Sequence, residues 1–297
     1  MSLRIAVVST SYPRDEDDPS GHFVRADVRH LEGQGHQVVV MAPPPGGAFG
    51  WPGAAARLRQ RPLRALEAAA WIARARVSLA RMGVDRVVAH WAVPCGWPIG
   101  VGAQGELEVV SHGGDVRLLS SLPRGSGGRV VRAIASRATV WRFVSTALLD
   151  ALLEPLDRTT RARVARIARI EAPRLDLPEL GVAIALRRRE LDGRRVAVSV
   201  GRLVPGKRVD RAIAYVRSRS DLDVLYVVGD GPERARLETA ANRQGVDVRF
   251  VGAVGRRDAL TWIGAADVLI HASRAEGLST VIREAEALGT PVVRVDQ

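Results

Sequence analysis

Lysine occurs once in this 297-residue chain, at Lys207; the other 43 of its 44 basic residues are arginine. Lys207 closes the run Gly201-Arg202-Leu203-Val204-Pro205-Gly206-Lys207, which leaves a strand-like segment and opens a helix-like one. Glycines there let the backbone approach a ligand, and a helix start beside Arg202 and Lys207 favours a diphosphate. The run is not a Walker loop, because both the spacing and the hydroxyl residue after the lysine are wrong. The same residues also fit an ordinary strand-to-helix turn with solvated charges. Further on, Glu276 and Glu284 lie eight residues apart across a loop-to-helix junction, separated at its start by Gly277, Leu278 and Ser279. Carboxylates accept paired hydrogen bonds from vicinal hydroxyls, and free N–H groups at a helix start suit phosphate oxygens. That combination fits a sugar nucleotide, although acids favourably placed near a helix N-terminus would look the same. Gly229-Asp230-Gly231-Pro232 reads as a turn, and Gly252 and Val254 of Phe250-Val251-Gly252-Ala253-Val254 could hold a base against backbone groups.

Residues in such loops need a scaffold, and the hydrophobic pattern supplies one. Apolar runs at 4–10, 37–42, 86–90, 107–111 and 139–144 alternate with helical patterns, as in βαβ units of a mainly parallel sheet. The pattern restarts with strands at 196–201, 223–228, 248–251, 268–271 and 292–295 and helices between them. We therefore expect an α/β chain of two Rossmann-like parallel-sheet domains facing a cleft, with ligands at the carboxyl ends of the strands. The expected division is 1–170, a linker over 171–192 that includes Pro173 and Pro178, and 193–297. Between 62 and 82, Leu63, Leu66, Ala70, Ala73, Val77 and Ala80 recur at helical spacing, with Arg64, Arg74, Arg76 and Arg81 off the stripe. Core packing of that stripe is the expectation; peripheral contact of an Arg-rich amphipathic segment with an anionic membrane is the alternative.

Composition narrows the function. With 46% hydrophobic and 26% charged residues the chain is an ordinary globular one. The single cysteine, Cys95, excludes an intramolecular disulfide and four-cysteine zinc patterns. No apolar run reaches the ~18 residues that span a bilayer, and 3–8 is too short for a signal peptide core, so a cytoplasmic location is expected. The net charge of +12 could attract nucleic acid, anionic lipid or phosphate-bearing substrates. Arginine used almost to the exclusion of lysine reads instead as a codon-level preference, and 4% aromatics with no aromatic-studded basic stripe argue against nucleic acid.

In order, GRLVPGK, VVGDGP, RFVGAV, AADVLIHAS and EGLSTVIREAEALGTPVV resemble the C-terminal domain of retaining glycosyltransferases of family 4, which have the GT-B fold. The resemblance runs from about residue 196 to the end, and SYPRDEDDPSGHFVRADVRHLEGQGHQV, HWAVPCG and SHGGDVR extend it more loosely to the first half. It implies a hexosyltransferase of the kind that builds cell-envelope polysaccharides, using a UDP- or GDP-sugar donor and a glycan or lipid-linked hydroxyl acceptor, with no cofactor. It implies that Glu284 binds the ribose diol and that Glu276 contacts hydroxyls of the transferred sugar. The amides of Gly277, Leu278 and Ser279 would line the donor site, and Arg202 and Lys207 would neutralise the diphosphate. His112 of His112-Gly113-Gly114-Asp115 matches the family's cleft-facing histidine, and Gly21 its phosphate- or acceptor-approaching glycine loop. No Asp-x-Asp pair or ligand cluster asks for a metal, so metal-independent transfer is expected. A sugar-nucleotide epimerase of the same fold, or a binding fragment without turnover, are the competing readings. The family continues past the strand at 290–295, so a C-terminally shortened chain is expected.

Overall fold

A computed structural model describes residues 1–49, 54–122, 125–273 and 278–295. The chain forms two compact units, one of Met1–Arg14 with Ser20–Arg174, the other of Asp15–Pro19 with Leu175–Gln297.

The first unit runs β1 (Arg4–Val8), α1 (His22–Gly33), β2 (Gln37–Met41), α2 (Ala54–Gln60), α3 (Arg64–Arg81) and β3 (Arg86–His90). An irregular coiled stretch (Ala92–Ile99), extended at Val93 and Trp97, then leads to β4 (Glu106–Ser111), α4 (Gly114–Ser121), α5 (Ser126–Arg137), β5 (Ala138–Phe143), α6 (Thr146–Leu153), α7 (Arg158–Ile167) and β6 (Ala168–Ile170). The strands are ordered β2-β1-β3-β4-β5-β6, all parallel. Ile5, Ala6, Val7 and Val8 have no exposed surface, as expected of a central parallel strand with both faces covered.

The second unit runs α8 (Gly181–Glu190), β7 (Val196–Val200), α9 (Val209–Arg217), β8 (Val224–Val228), α10 (Arg234–Gln244), β9 (Val248–Gly252), α11 (Arg256–Ala265), β10 (Val268–His271), α12 (Thr280–Ala287) and β11 (Val292–Arg294). Its strand order is β11-β10-β7-β8-β9, again all parallel. The strand order reverses at β7, so the loops after β7 and β10 flank a topological switch point, where such sheets take their ligands. The short N-terminal segment Asp15–Pro19 covers the start of α11. The amide of Arg256 donates to the Asp17 carbonyl at 2.7 Å, and that of Arg257 donates to Asp17 Oδ1 at 3.1 Å.

Three features differ from the sequence reading. The stretch 171–192 is not all linker: α8 lies in it, packed through Ile184 onto the second core, whose members include Leu180 and Leu191. The strand β6 and the coiled stretch 92–99 are additional, the first too short for a pattern and the second interrupted by Pro94 and Pro98. In α3 the face is reversed. Trp71, Ala75 and Leu79 are buried, Trp71 edge-on to Phe49 at 5.2 Å, whereas Leu63, Leu66, Ala70, Ala73 and Val77 of the expected core stripe are exposed. An alanine-rich helix offers two apolar faces, and periodicity alone does not choose between them.

Candidate functional site

In the second unit the loops after β7 and β8 are locked together by backbone. Gly229 has φ +130°, and a Cβ there would stand 2.0 Å from the Gly201 carbonyl oxygen, so only glycine fits. The amide of Gly201 donates to the Val228 carbonyl at 2.9 Å, and that of Leu203 to the Asp230 carbonyl at 3.0 Å. Asp230 Oδ1 accepts from the amide of Gly231 at 2.7 Å. The run from Gly201 is thereby held as a firm shelf that ends in the 3₁₀ turn Pro205–Lys207 before α9.

Lys207 folds back over that shelf. A Cβ on Gly201 (φ +150°) would meet Lys207 Cε at 3.6 Å and Nζ at 3.9 Å. Lys207 also lines a small depression with Ser199, Gly201, His271, Ala272 and Ser273, at the carboxyl ends of β7 and β10. The lysine and the loop leaving β10 are therefore neighbours. Arg202 is exposed on the same loop and does not line that depression. Gly252 (φ +90°) is buried at the end of β9, its carbonyl accepting from the amide of Gly229 at 2.8 Å; Val254 is half-buried against the core.

Glu276 and Gly277 lie outside the described residues. Leu278 is half-buried, and Ser279 precedes α12 with its hydroxyl buried and without a hydrogen-bond partner among the described residues. A buried hydroxyl left in this way at a helix start is a site for an external polar group. One turn inside α12, Glu284 is buried, and Arg256 Nη2 donates to its Oε1 at 3.1 Å. Burial pushes the Glu284 carboxyl above the usual carboxylate range, against the pull of Arg256. Arg256, at the start of α11 and only 6% exposed, is a site residue that sequence reasoning missed. No spacing rule links positions 28 residues apart on different helices.

The first unit holds its own polar centre. His112 follows β4, and its Nε2 lies 3.1 Å from His90 Nδ1, the two rings stacked at 5.3 Å and 10°. Phe23 and Trp91 flank His112 with ring centroids at 4.6 Å and 5.0 Å. Burial lowers the His112 pKa to about 4 despite Asp115 and Asp27, and holds His90 well below its usual value. Both rings are neutral at pH 7, so the short contact is a hydrogen bond between imidazoles. Asp115 is tied to backbone, accepting from the amides of Ala92 at 2.8 Å and Gly113 at 3.0 Å. Behind His90, buried Asp27 gathers Arg142 at 2.9 Å, Arg174 at 3.2 Å and His90 Nε2 at 3.5 Å, and Arg142 also pairs with Glu108. Asp27 and Arg142 were not singled out by the sequence, where 115 positions separate them. Gly21 (φ +69°) opens α1, and a Cβ there would stand 2.1 Å from the Ser11 carbonyl oxygen.

The model of the family described as "Glycosyl transferases group 1" matches residues 194–297, the span that carries the shelf, Lys207 and α12. A GDP-mannose-dependent alpha-mannosyltransferase of Mycobacterium tuberculosis is 27% identical over 99% of this chain and 79% of its own length. Through residues 194–297 the chain belongs to the group 1 glycosyltransferases. This glycosyltransferase is also 37% identical, over 38% of its length and 34% of the relative's, to the lipopolysaccharide core biosynthesis glycosyltransferase LpsE of Rhizobium meliloti. Among solved structures, Anabaena HepE in complex with UDP-glucose superposes with a TM-score of 0.69 at 20% identity, covering 98% of this glycosyltransferase and 80% of that chain. At that identity the likeness establishes the fold, which is GT-B. The enzyme is a nucleotide-sugar-dependent glycosyltransferase of family 4. Among its described residues no helix is long and apolar enough to cross a membrane.

Proposed function

We propose that this glycosyltransferase moves a hexose from a UDP- or GDP-sugar to a hydroxyl of a glycan or lipid-linked acceptor, with retention at the anomeric carbon and without a divalent ion. The observation that carries the reading is Lys207, the chain's one lysine, folded over Gly201 beside the loop that leaves β10. In this reading Lys207 and Arg202 take up the negative charge that grows on the departing diphosphate. The amides at the start of α12 and the buried Ser279 hydroxyl hold phosphate or sugar oxygens. Glu284, steadied by Arg256, accepts from the ribose diol, Glu276 from hydroxyls of the transferred sugar, and the Gly252–Val254 backbone borders the base. The neutral His112 faces the transferred sugar as a hydrogen-bond partner, with Gly21 giving close backbone approach to phosphate or acceptor.

The bond from the anomeric carbon to the phosphate oxygen breaks, its electron pair leaving with the diphosphate. The acceptor oxygen bonds to the same carbon on the same face, and its proton passes to the departing phosphate. Relatives named for GDP-mannose and for an α-mannosyl product support retention, because the sugar is α-linked in that donor. Their names, and that of the lipopolysaccharide core enzyme, make cell-envelope glycans the acceptor class to test and GDP-mannose the first donor.

A thermal-shift panel of GDP-, UDP- and ADP-sugars should show a rise in melting temperature with one nucleotide class, since a ligand bound only to the native state stabilises it. Transfer by the preferred donor should give an α product by NMR and persist in EDTA. An inverted product, or turnover only with added Mg²⁺ or Mn²⁺, would replace the corresponding part of the proposal. A changed donor sugar with no acceptor present would make the enzyme an epimerase.

A further inference from the structure

A neutral imidazole donates from one ring nitrogen and accepts at the other, and the surroundings of the His90–His112 pair choose between them. His112 Nε2 lies 3.1 Å from His90 Nδ1, so one of these two atoms carries the proton. The far nitrogen of His90 decides which. His90 ends β3 with 1% of its surface exposed, and its Nε2 lies 3.5 Å from Asp27 Oδ2 on α1. A bare lone pair there would face a buried carboxylate, whereas a proton on Nε2 turns the contact into an attraction. The neighbouring guanidinium groups are directed at carboxylates. Arg142 turns Nη2 to Asp27, Nε to Glu108 and Nη1 to Glu171, and Arg174 turns Nε to Asp27 and Nη2 to Glu171. Three carboxylates set against two guanidinium groups also leave that side of His90 negative.

We propose that Asp27 and His90 are positioning residues that fix the tautomer of His112. His90 carries its proton on Nε2, His112 donates from Nε2 to His90 Nδ1, and His112 Nδ1 is left as a hydrogen-bond acceptor. The ring is also fixed in place, stacked on His90 and flanked by Phe23 and Trp91. His112 is half-buried where His90 is closed off, so it is the member of the pair that can meet a ligand. On the proposed function, in which His112 faces the transferred sugar, Nδ1 accepts from a sugar hydroxyl; this step alone rests on that reading. The enzyme then selects a hexose that carries a hydroxyl at that carbon over one that carries fluorine, which cannot donate.

The test is NMR of the full chain at pH 7 with its six histidines labelled with ¹⁵N. The spectrum should show a proton on His112 Nε2, coupled across the hydrogen bond to an unprotonated His90 Nδ1, and the His90 proton on Nε2. His112→Phe assigns the signals by their loss. His90→Phe keeps a ring to stack but offers no acceptor, so the coupling should vanish and the His112 Nε2 proton should exchange with water at least about tenfold faster. A proton on His90 Nδ1 or on His112 Nδ1 would overturn the proposal, as would unchanged exchange in His90→Phe. The parent spectrum decides the tautomer even if that variant fails to fold. Analogues of the preferred donor with fluorine at successive sugar carbons should lose about tenfold in affinity at one carbon, and His112→Phe should abolish that difference. Equal binding of all the analogues, with the tautomer as stated, would move His112 away from the sugar and leave its positioning by His90 in place.

Discussion

The polar centres of the two units are built on opposite plans. In the first, Arg142, Arg174 and His90 gather on Asp27, Arg142 also pairs with Glu108, and the neutral His112 rests on that assembly between aromatic rings. In the second, the candidate site stands on backbone: a shelf possible only with glycine at 229, one lysine laid over Gly201, and a helix start with a buried hydroxyl. A network of mutually paired charges is rigid before any substrate arrives, and it is costly to break at any point. A glycine shelf is fixed instead by its backbone contacts. Under the proposed function, the first plan would orient a neutral sugar and the second would hold a leaving group whose charge grows during reaction.

Substitutions can break this contrast in graded fashion. Gly229→Ala should be the most severe, costing more than about 4 kcal/mol, because the new Cβ meets a backbone oxygen at a strained φ. Circular dichroism should find little folded protein, whereas Gly206→Ala on the same loop, where a Cβ would meet nothing within 4 Å, should melt like the parent. Asp27→Asn should cost about 3–5 kcal/mol in urea unfolding, since it leaves the largely buried Arg142 short of countercharge. Lys207→Ala should spare stability yet lower turnover about 10²–10³-fold, as loss of one charge-stabilising donor does elsewhere. Parental turnover would remove the lysine from the chemistry.

The remaining tests are gentler. His112 has a folded pKa of about 4 against an unfolded value near 6.5, so the unfolded chain binds more protons in between. The stability carried by His112 is complete above about pH 6.5 and declines as the pH falls to about 4, by about 3 kcal/mol. Denaturation midpoints at pH 7, 5.5 and 4.5 should fall in that order, and His112→Phe should flatten the trend. Ser279→Ala should be smallest for stability, within about 1 kcal/mol, because its hydroxyl has no partner among the described residues to lose. A weakened donor shift in that variant would place the hydroxyl on the ligand.

Much of this was legible before any coordinates, because parallel strands buried on both faces leave continuous apolar runs and their loops are punctuated by glycine. Those signals locate the strand-end loops and single out Lys207. Pairings across long separations leave no such trace: Arg256 with Glu284, Asp27 with Arg142 and His90 with His112 are brought together only by the winding of the sheets. The outward face of α3 was hidden for a different reason, since Ala70 and Ala73 read as core by spacing although the bulk that anchors the helix is Trp71 and Leu79.

The five residues from Asp15 to Pro19 carry a consequence for dissection of the enzyme. They sit far from the rest of their unit along the chain, yet Asp17 supplies the oxygens that receive the first two amides of α11, the helix from which Arg256 reaches Glu284. A recombinant piece starting at Leu175 would expose those donors and loosen the partner of the Glu284 carboxylate. Excision of the second unit as an autonomous module therefore requires a graft of that short acidic segment as well.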